Sequence, residues 1–401
     1  MSPKKALVIG CGIGGPAVAL FLRRAGIDAE IHEAQSASDD EGGHFLNVSS
    51  NGLDVLKSLG LEQAVAAEGF PIPRMIMSNG NGKKLGEIRN GAAPGEGEPS
   101  VIVRRGSLHR TLREEAERQG IPIFRGRQLR SIDLTADQTV IAHFSDGSTA
   151  EGDFLIGCDG IHSTTRRMIS PDAPLPAYTG LLSCGGFARS STLRPTPDTQ
   201  HFVFGKRAFF GYFVKESGEI WWFSNIAWPG EPRRSELAAI GQEEWRRMLL
   251  DLHGDDQPFI QDIIRATTGE IGVYPIHDLQ STPIWHKGPI VLMGDAAHAT
   301  SPSAGQGASL ALEDAIVLAK CLRDLPRLED AFTAYERLRR ERAEKIVRFA
   351  RRRGTSKAAS NAVTRWLRDL MLPLVLRFVA NSRELDWVYA YRVDWNGTVG
   401  N

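Results

Sequence analysis

The chain has 401 residues, too many for one ordinary core and enough for two or three packed units. Lys plus Arg and Asp plus Glu each number 48, so no bulk charge draws the chain to nucleic acid, and no nucleic-acid partner is expected. Four cysteines, Cys11, Cys158, Cys184 and Cys321, stand far apart in no metal-ligand spacing, which points to a reduced, cytoplasmic protein without a metal site. The opening MSPKKALVIG lacks an apolar core followed by a small-residue cleavage site, so no signal peptide is read there. The longest apolar run, from Met371 onward, is broken by Arg377 and falls far short of the ~20 residues of a membrane span.

Residues 6–9 form a short apolar run typical of a buried parallel strand. GCGIGGP follows, with Gly10, Gly12 and Gly15 in G-x-G-x-x-G spacing and Gly14 between them. Pro16 falls in the first helical turn, where its missing N–H costs nothing. Residues 17–25 read as a helix stopped by Gly26, and a second strand ends at Glu33. Gly10 permits the tight turn, Gly12 lets the backbone approach a pyrophosphate, and Gly15 lets helix and strand pack closely. The helix N-terminus suits phosphate oxygens, and Glu33, roughly 20 residues on, suits ribose hydroxyls. The pattern does not separate NAD from FAD.

Further along, residues 101–104 read as a strand, Ser107 as an N-cap, and Gly120 as a helix stop, with Arg104 and Arg105 at the junction. Asp146-Gly147 is a hairpin turn between alternating strands. Asp159-Gly160 instead ends a buried run and leads into Ser163 and Arg166, an acid and a cation near a sheet edge. A third fragment has a buried strand at residues 289–293, then Gly294-Asp295, then Gly305-Gln306-Gly307 opening a helix. That places a second helix N-terminus toward a ligand.

These three fragments together resemble the FAD-dependent aromatic hydroxylases of the p-hydroxybenzoate hydroxylase fold, in order and spacing over about 350 residues. The block 275–322 is closest in flavour to urate-hydroxylase-like and salicylate-hydroxylase-like members. The resemblance implies an α/β fold: a Rossmann-like FAD-binding domain, an inserted antiparallel β-sheet substrate domain and a C-terminal helical tail. The implied division is FAD-binding at 1–72, 101–172 and 284–360, a substrate-domain excursion at 73–100, the substrate sheet at 173–283 and tail helices at 361–401.

By the same resemblance, Gly10, Gly12, Gly14 and Gly15 hold the FAD pyrophosphate and Glu33 the adenosine ribose. Arg105 reaches the ribityl or phosphate region, and the backbone of Leu129 passes beside the adenine. Asp295 bonds a ribityl hydroxyl, and Gly305, Gln306 and Gly307 face the flavin pyrimidine edge. Asp159 shapes the FAD and nicotinamide side. The stretch GGHFLNVSSN (42–51) lines the flavin, with Gly42 and Gly43 making room, Asn51 starting a helix, and His44 and Asn47 touching flavin or substrate; the alternative is a loop that merely packs. FAD is bound non-covalently, NADH or NADPH visits without a Rossmann domain of its own, and O2 is co-substrate. The implied reaction hydroxylates or epoxidises a small aromatic or polycyclic substrate through a flavin C4a-hydroperoxide. Two alternatives stay open: a flavin oxidase or dehydrogenase without oxygen insertion, and a non-catalytic FAD-binding protein.

Residues 201–214 and 219–228 alternate and are rich in aromatics on both faces, so one face feeds a core and the other is open to a flat ligand. Arg207 and Tyr212 are the polar substrate-side candidates there, with His44 the third candidate for the chemistry. No Ser-His-Asp cluster is evident, and His298 reads as a loop-ordering residue. Residues 328–353 form an arginine-studded helix whose charges read as a solvated face. The tail is helical, broken near Pro373, and packs across the body, with peripheral membrane contact as the lesser alternative. A monomer or homodimer is expected.

Overall fold

Continuous apolar runs build the first sheet in a computed structural model that describes residues 4–38, 44–355, 362–380 and 383–399. Gly42 and Gly43 lie outside the described residues. Ala6, Leu7 and Val8, Phe154, Leu155 and Ile156, and Val291 and Leu292 are all fully buried, as strands covered on both faces must be. Strands Lys5–Ile9, Phe154–Gly157, Ile290–Leu292, Asp28–Glu33 and Ile123–Arg125 pair in parallel, with Lys5–Ile9 central. His286–Lys287 adds an antiparallel edge. The helix Gly14–Arg24 buries Gly15 through Leu22, and the helix Gly307–Asp324 is buried along most of its length. A three-stranded antiparallel sheet, Leu129–Leu134, Val140–Phe144 and Thr149–Gly152, carries the Asp146-Gly147 turn, where Gly147 has φ +83°.

The expected cap at Ser107 is displaced. The helix starts three residues earlier, as Arg105–Arg118 with Arg104 in the cap position, and Ser107 is buried inside its first turn, donating to Glu68 at 3.2 Å. The Arg105 N–H is taken instead by the carbonyl of His44 at 3.0 Å, the residue just before the neighbouring strand Phe45–Val48.

A seven-stranded sheet forms the second layer system, in the order Thr267–Asp278, Ala177–Arg189, Glu219–Ala227, Phe209–Val214, Thr199–Phe204, Arg74–Asn79, Lys84–Arg89. All neighbours are antiparallel except Thr199–Phe204 beside Arg74–Asn79. Period-2 alternation separates two aromatic faces. Leu182, Cys184, Phe210 and Trp222 form one core with Trp245, Leu249, Ile260 and Ile264 from the helices Gln242–Leu252 and Pro258–Arg265. Phe213, Trp221 and Phe187 point the other way, toward Phe45 of the first domain.

Two helical expectations change. The helix Leu328–Thr355 is not merely a solvated charge run: Arg339 is fully buried and pairs with Glu313 at 2.6 Å and Asp314 at 2.8 Å. The tail helix runs unbroken through Pro373, as Ala362–Ala380. The lost backbone bond is offset because Leu372 and Leu376, on either side of the proline, pack into a cluster with Met75, Met77 and Phe209. The cationic end of Gly307–Asp324 holds the chain's end: Lys320 donates to the Asp394 carbonyl at 2.6 Å and Arg323 to the Gly397 carbonyl at 2.8 Å.

Candidate cofactor site

The glycine loop sorts itself by what each missing side chain would meet. A Cβ on Gly10 would lie 2.5 Å from the Cys158 carbonyl oxygen, and φ there is +105°. A Cβ on Gly15 would lie 2.0 Å from the Gly10 oxygen. Both are glycine because the protein packs on itself. Gly14 also faces inward, 3.2 Å from Met293 Cε and 3.7 Å from Ala311 Cβ, so the starts of the two central helices lie side by side. Gly12 differs: a Cβ there meets no protein atom within 4 Å. Its glycine answers to no internal packing, which is what a backbone cradle for an external group requires.

The surrounding polar groups suit an anion with ribose attached. The helix Gly14–Arg24 has no side-chain cap and no acid in its first turn, so its first N–H groups face outward unpaired by its own cap. Glu33 ends its strand and accepts from the Cys11 N–H at 2.7 Å and the Gln35 N–H at 2.8 Å. The Arg127 N–H bonds the Glu33 carbonyl at 2.8 Å, which brings the segment leading to Leu129 alongside. Leu129 itself is buried and pairs with Phe144.

The second helix start is fixed by side chains from the opening stretch. Asn47 Nδ2 donates to the Gly305 carbonyl at 3.2 Å and to Ser49 Oγ at 2.7 Å, and Gln306 Nε2 donates to Ser49 Oγ at 2.7 Å. Asn51 Nδ2 donates to Gln306 Oε1 at 3.0 Å and to Glu313 at 2.6 Å. Gly305 takes φ +62°, a left-handed turn that aims the following N–H groups. Gly294 takes φ +59° and its N–H bonds Asp314 at 2.9 Å, so the Gly294-Asp295 corner is locked from beneath. Asp295 reaches solvent although protein surrounds it, so it lines a recess. Burial raises its pKa above the ordinary carboxylate range, against the opposing charges of His298 and Arg105. Arg105 therefore stands close enough to act on Asp295, as the sequence order of the two fragments alone does not reveal.

His44 sits on a flat notch in the seven-stranded sheet. Gly185 and Gly272 are direct strand partners, and Cβ atoms there would lie 2.9 Å and 2.2 Å from the imidazole. Tyr274 meets the ring edge-on at 5.1 Å. Burial lowers the His44 pKa to about 4, so the ring is neutral at neutral pH.

Other expected residues lie elsewhere. Arg207 is at the Phe204–Phe209 turn and pairs with Asp251 of the covering helix. Tyr212 points into the same helix-covered face, stacked on His201 at 5.1 Å and beside Phe259. Both belong to one side of the sheet, and the helices 242–252 and 258–265 cover it, so neither joins His44. Asp159 is engaged by its own helix, accepting from Ser163 Oγ, the Thr164 and Thr165 N–H groups and Thr165 Oγ1. Arg166 is buried, bonded to the carbonyls of Ala296 and Ile161.

A Ser-His-Asp chain does exist, contrary to expectation: Ser224 Oγ lies 3.0 Å from His253 Nε2, and His253 Nδ1 2.9 Å from Asp256. Ser224 and His253 are fully buried, and Asp256 also accepts from the Lys206 N–H, so the chain ties the 242–252 helix to the sheet rather than facing a substrate. His298 orders its loop as expected, 2.5 Å from Asp314. The buried Glu313–Asp314–Arg339 group is the part sequence reading missed; its signal is the acidic pair inside SLALEDAIVLAKCL.

The family model described as an FAD binding domain matches residues 4–350. The chain is 30% identical over 372 residues to an aurachin C monooxygenase/isomerase of Stigmatella aurantiaca, covering 92% of this chain and 94% of that one. It is 30% identical to a 6-hydroxynicotinate 3-monooxygenase of Pseudomonas fluorescens, over 87% of this chain and 90% of that one. Among solved structures, Klebsiella pneumoniae HpxO complexed with FAD and uric acid superposes with a TM-score of 0.83 at 25% identity, covering 94% and 96% of the two chains. With its glycine cradle, its locked Gly294-Asp295 corner and this match over most of its length, the chain belongs to the FAD-binding-domain family.

Proposed function

We propose that the chain is an FAD-dependent monooxygenase that uses NAD(P)H and O2 to oxygenate a small aromatic or polycyclic substrate. One observation carries the reading: the segment that fixes the second helix start also meets the seven-stranded sheet, since the His44 carbonyl accepts from the Arg105 N–H while its ring lies on Gly185 and Gly272. In this reading Gly10, Gly12 and Gly15 with the first helix hold the pyrophosphate, and Glu33 the adenosine ribose. The backbone near Leu129 flanks the adenine. Asp295 and Arg105 address the ribityl chain, and the N–H groups of residues 305–307 the flavin's pyrimidine edge. The seven-stranded sheet, from residues 73–100 and 173–283, is the substrate domain. Bound FAD would supply the redox and oxygen chemistry.

The chain's own groups bind, orient and exclude water. A partly buried helix N-terminus is worth up to ~2 kcal/mol toward an anion, enough to favour charge on the pyrimidine edge. Neutral His44, held flat on Gly185 and Gly272, positions the ring system without adding charge. All four cysteines are free, which supports a cytoplasmic setting, as monomer or homodimer.

The test is turnover of candidate phenols, purines and polycyclic aromatics with NAD(P)H under labelled dioxygen. Label in the product is the expected result. Unlabelled, desaturated product would assign an oxidase or dehydrogenase, and bound flavin without ligand-stimulated NAD(P)H oxidation a non-catalytic protein.

Two variants test the parts. Asp295→Ala should weaken FAD binding roughly 10- to 100-fold, the loss of one hydrogen bond to a charged group; normal flavin content in the purified variant would refute the role. His44→Asn should remove a pH-dependent stability component. Because the folded pKa of His44, about 4, lies below the unfolded value near ~6.5, its contribution is complete above ~6.5 and is lost as pH falls toward 4. Denaturation midpoints of variant and parent across that window report the difference.

A further inference from the structure

The tail helix Ala362–Ala380 presents its apolar face outward. Val363, Trp366, Leu367, Leu370, Met371, Leu374 and Val375 are each between 43% and 71% exposed. Their spacing of three and four residues places them on about one half of the helix surface. The inward half carries Arg365 and Arg368, which donate to the carbonyls of Lys206 and Phe204, and Asp369, which accepts from Asn79. Leu376 is buried on that side. The usual arrangement, apolar inward and charged outward, is inverted, and contiguous exposed apolar patches of this kind mark interaction surfaces.

Charge selects the partner. The chain as a whole is neutral, yet between Lys345 and Arg383 it holds ten Lys or Arg against a single acid, Asp369. Asp369 is turned inward onto Asn79. Arg377 is exposed and falls in the apolar stripe one turn beyond Leu374 and two beyond Leu370. Arg348 before the helix and Arg383 after it are exposed as well, though each is paired with an acid, Glu344 and Glu96. Two copies meeting on this face would bring like charges together, at a cost; an anionic lipid surface meets the cations with opposite charge and the stripe with acyl chain. No described helix is long and apolar enough to cross a membrane.

We propose that the outward face of the tail helix docks the protein on an anionic membrane surface, with Trp366, Leu370 and Leu374 entering the interface and Arg377 meeting lipid phosphates. The inner face of the same helix covers Met75, Met77 and Phe209 of the substrate sheet, so docking sets that sheet beside the bilayer. This placement holds whatever reaction the site performs.

Flotation of the FAD-loaded full chain with vesicles tests it, using phosphatidylcholine alone and phosphatidylcholine with phosphatidylglycerol. The expected result is flotation with the anionic vesicles at low salt, diminished at high salt, and little with phosphatidylcholine alone. The triple change Trp366→Ser, Leu370→Ser and Leu374→Ser should abolish flotation with flavin content and unfolding midpoint unchanged. Leu374→Ser alone serves if the triple change lowers the midpoint. Arg377→Gln should lower partitioning roughly fivefold, the value of one cation near an anionic surface. A parent protein that stays unbound to anionic vesicles, or a triple variant that floats equally well, overturns the proposal. A dimer by light scattering that the triple change splits, without vesicle binding, would give the face to a second copy.

Discussion

Gly12→Val is expected to keep its unfolding midpoint and lose FAD, while Gly15→Val lowers the midpoint. The two glycines stand three residues apart in one motif, and the contrast rests on what surrounds them. A Cβ on Gly15 would stand 2.0 Å from the Gly10 oxygen, so backbone must shift; overpacking of this kind costs about 1–3 kcal/mol or more. At Gly12 no protein atom lies within 4 Å, so valine is accommodated. Its methyl groups would occupy the approach to the first-turn N–H groups. Losing two hydrogen bonds to a charged pyrophosphate, at about 1.5–3 kcal/mol each, weakens binding by at least ~100-fold. Flavin absorbance per protein and the unfolding midpoint, read together on both variants, check the split. Full flavin in Gly12→Val would mean that the cradle is not where the pyrophosphate lies.

What the sequence made legible and what it hid divide along physical lines. Gly10, Gly15, Gly305 and Gly294 announce themselves because a local backbone conformation or a contact close in the chain demands glycine. Glu33 is readable because the unit around it is about thirty residues long and its elements pack in sequence order. The seven-stranded sheet is different. Alternation at residues 209–214 predicts two faces and cannot say which one the helices 242–252 and 258–265 will cover, so Arg207 and Tyr212 looked available. The notch under His44 is invisible for a related reason: Gly185 and Gly272 become neighbours only through strand pairing. Pro373 reads as a break because propensity weighs the lost bond and not the packing of Leu372 and Leu376. Arg339 hid among many arginines, since its burial depends on Glu313 and Asp314 from another helix. The same averaging concealed the tail's outward stripe, which follows a helical period that a buried face would show equally well.

Arg339→Met should be strongly destabilising, at about 3–5 kcal/mol, because it removes one partner of a buried ionic group. Glu313 and Asp314 are fully buried, and both bond Arg339 while Arg342 reaches Glu313 at 2.7 Å. Burial alone would raise the Asp314 carboxyl; the charges of His298 and Arg339, with their hydrogen bonds, outweigh it and hold it at about 2. A depressed folded pKa contributes stability that is present above the unfolded value, near ~3.9, and lost as pH falls toward 2. The variant lacks part of that contribution, so its deficit against the parent should be greatest above pH ~4 and should narrow on acidification. Glu313→Gln added to Arg339→Met should recover part of the loss, since it neutralises the acid left behind. The loss also reaches the site. Glu313 bonds Asn51, Asn51 bonds Gln306, and Gln306 bonds Ser49, so a Glu313 left to Arg342 alone loosens the helix start that the flavin's pyrimidine edge is proposed to face. Flavin release on dilution should therefore quicken in Arg339→Met although the residue itself lines no recess. Denaturant midpoints across pH, with flavin fluorescence followed in parallel, separate the two effects. A cost below ~1 kcal/mol would show that Arg342 and His298 suffice to hold the acids, and that Arg339 contributes packing alone.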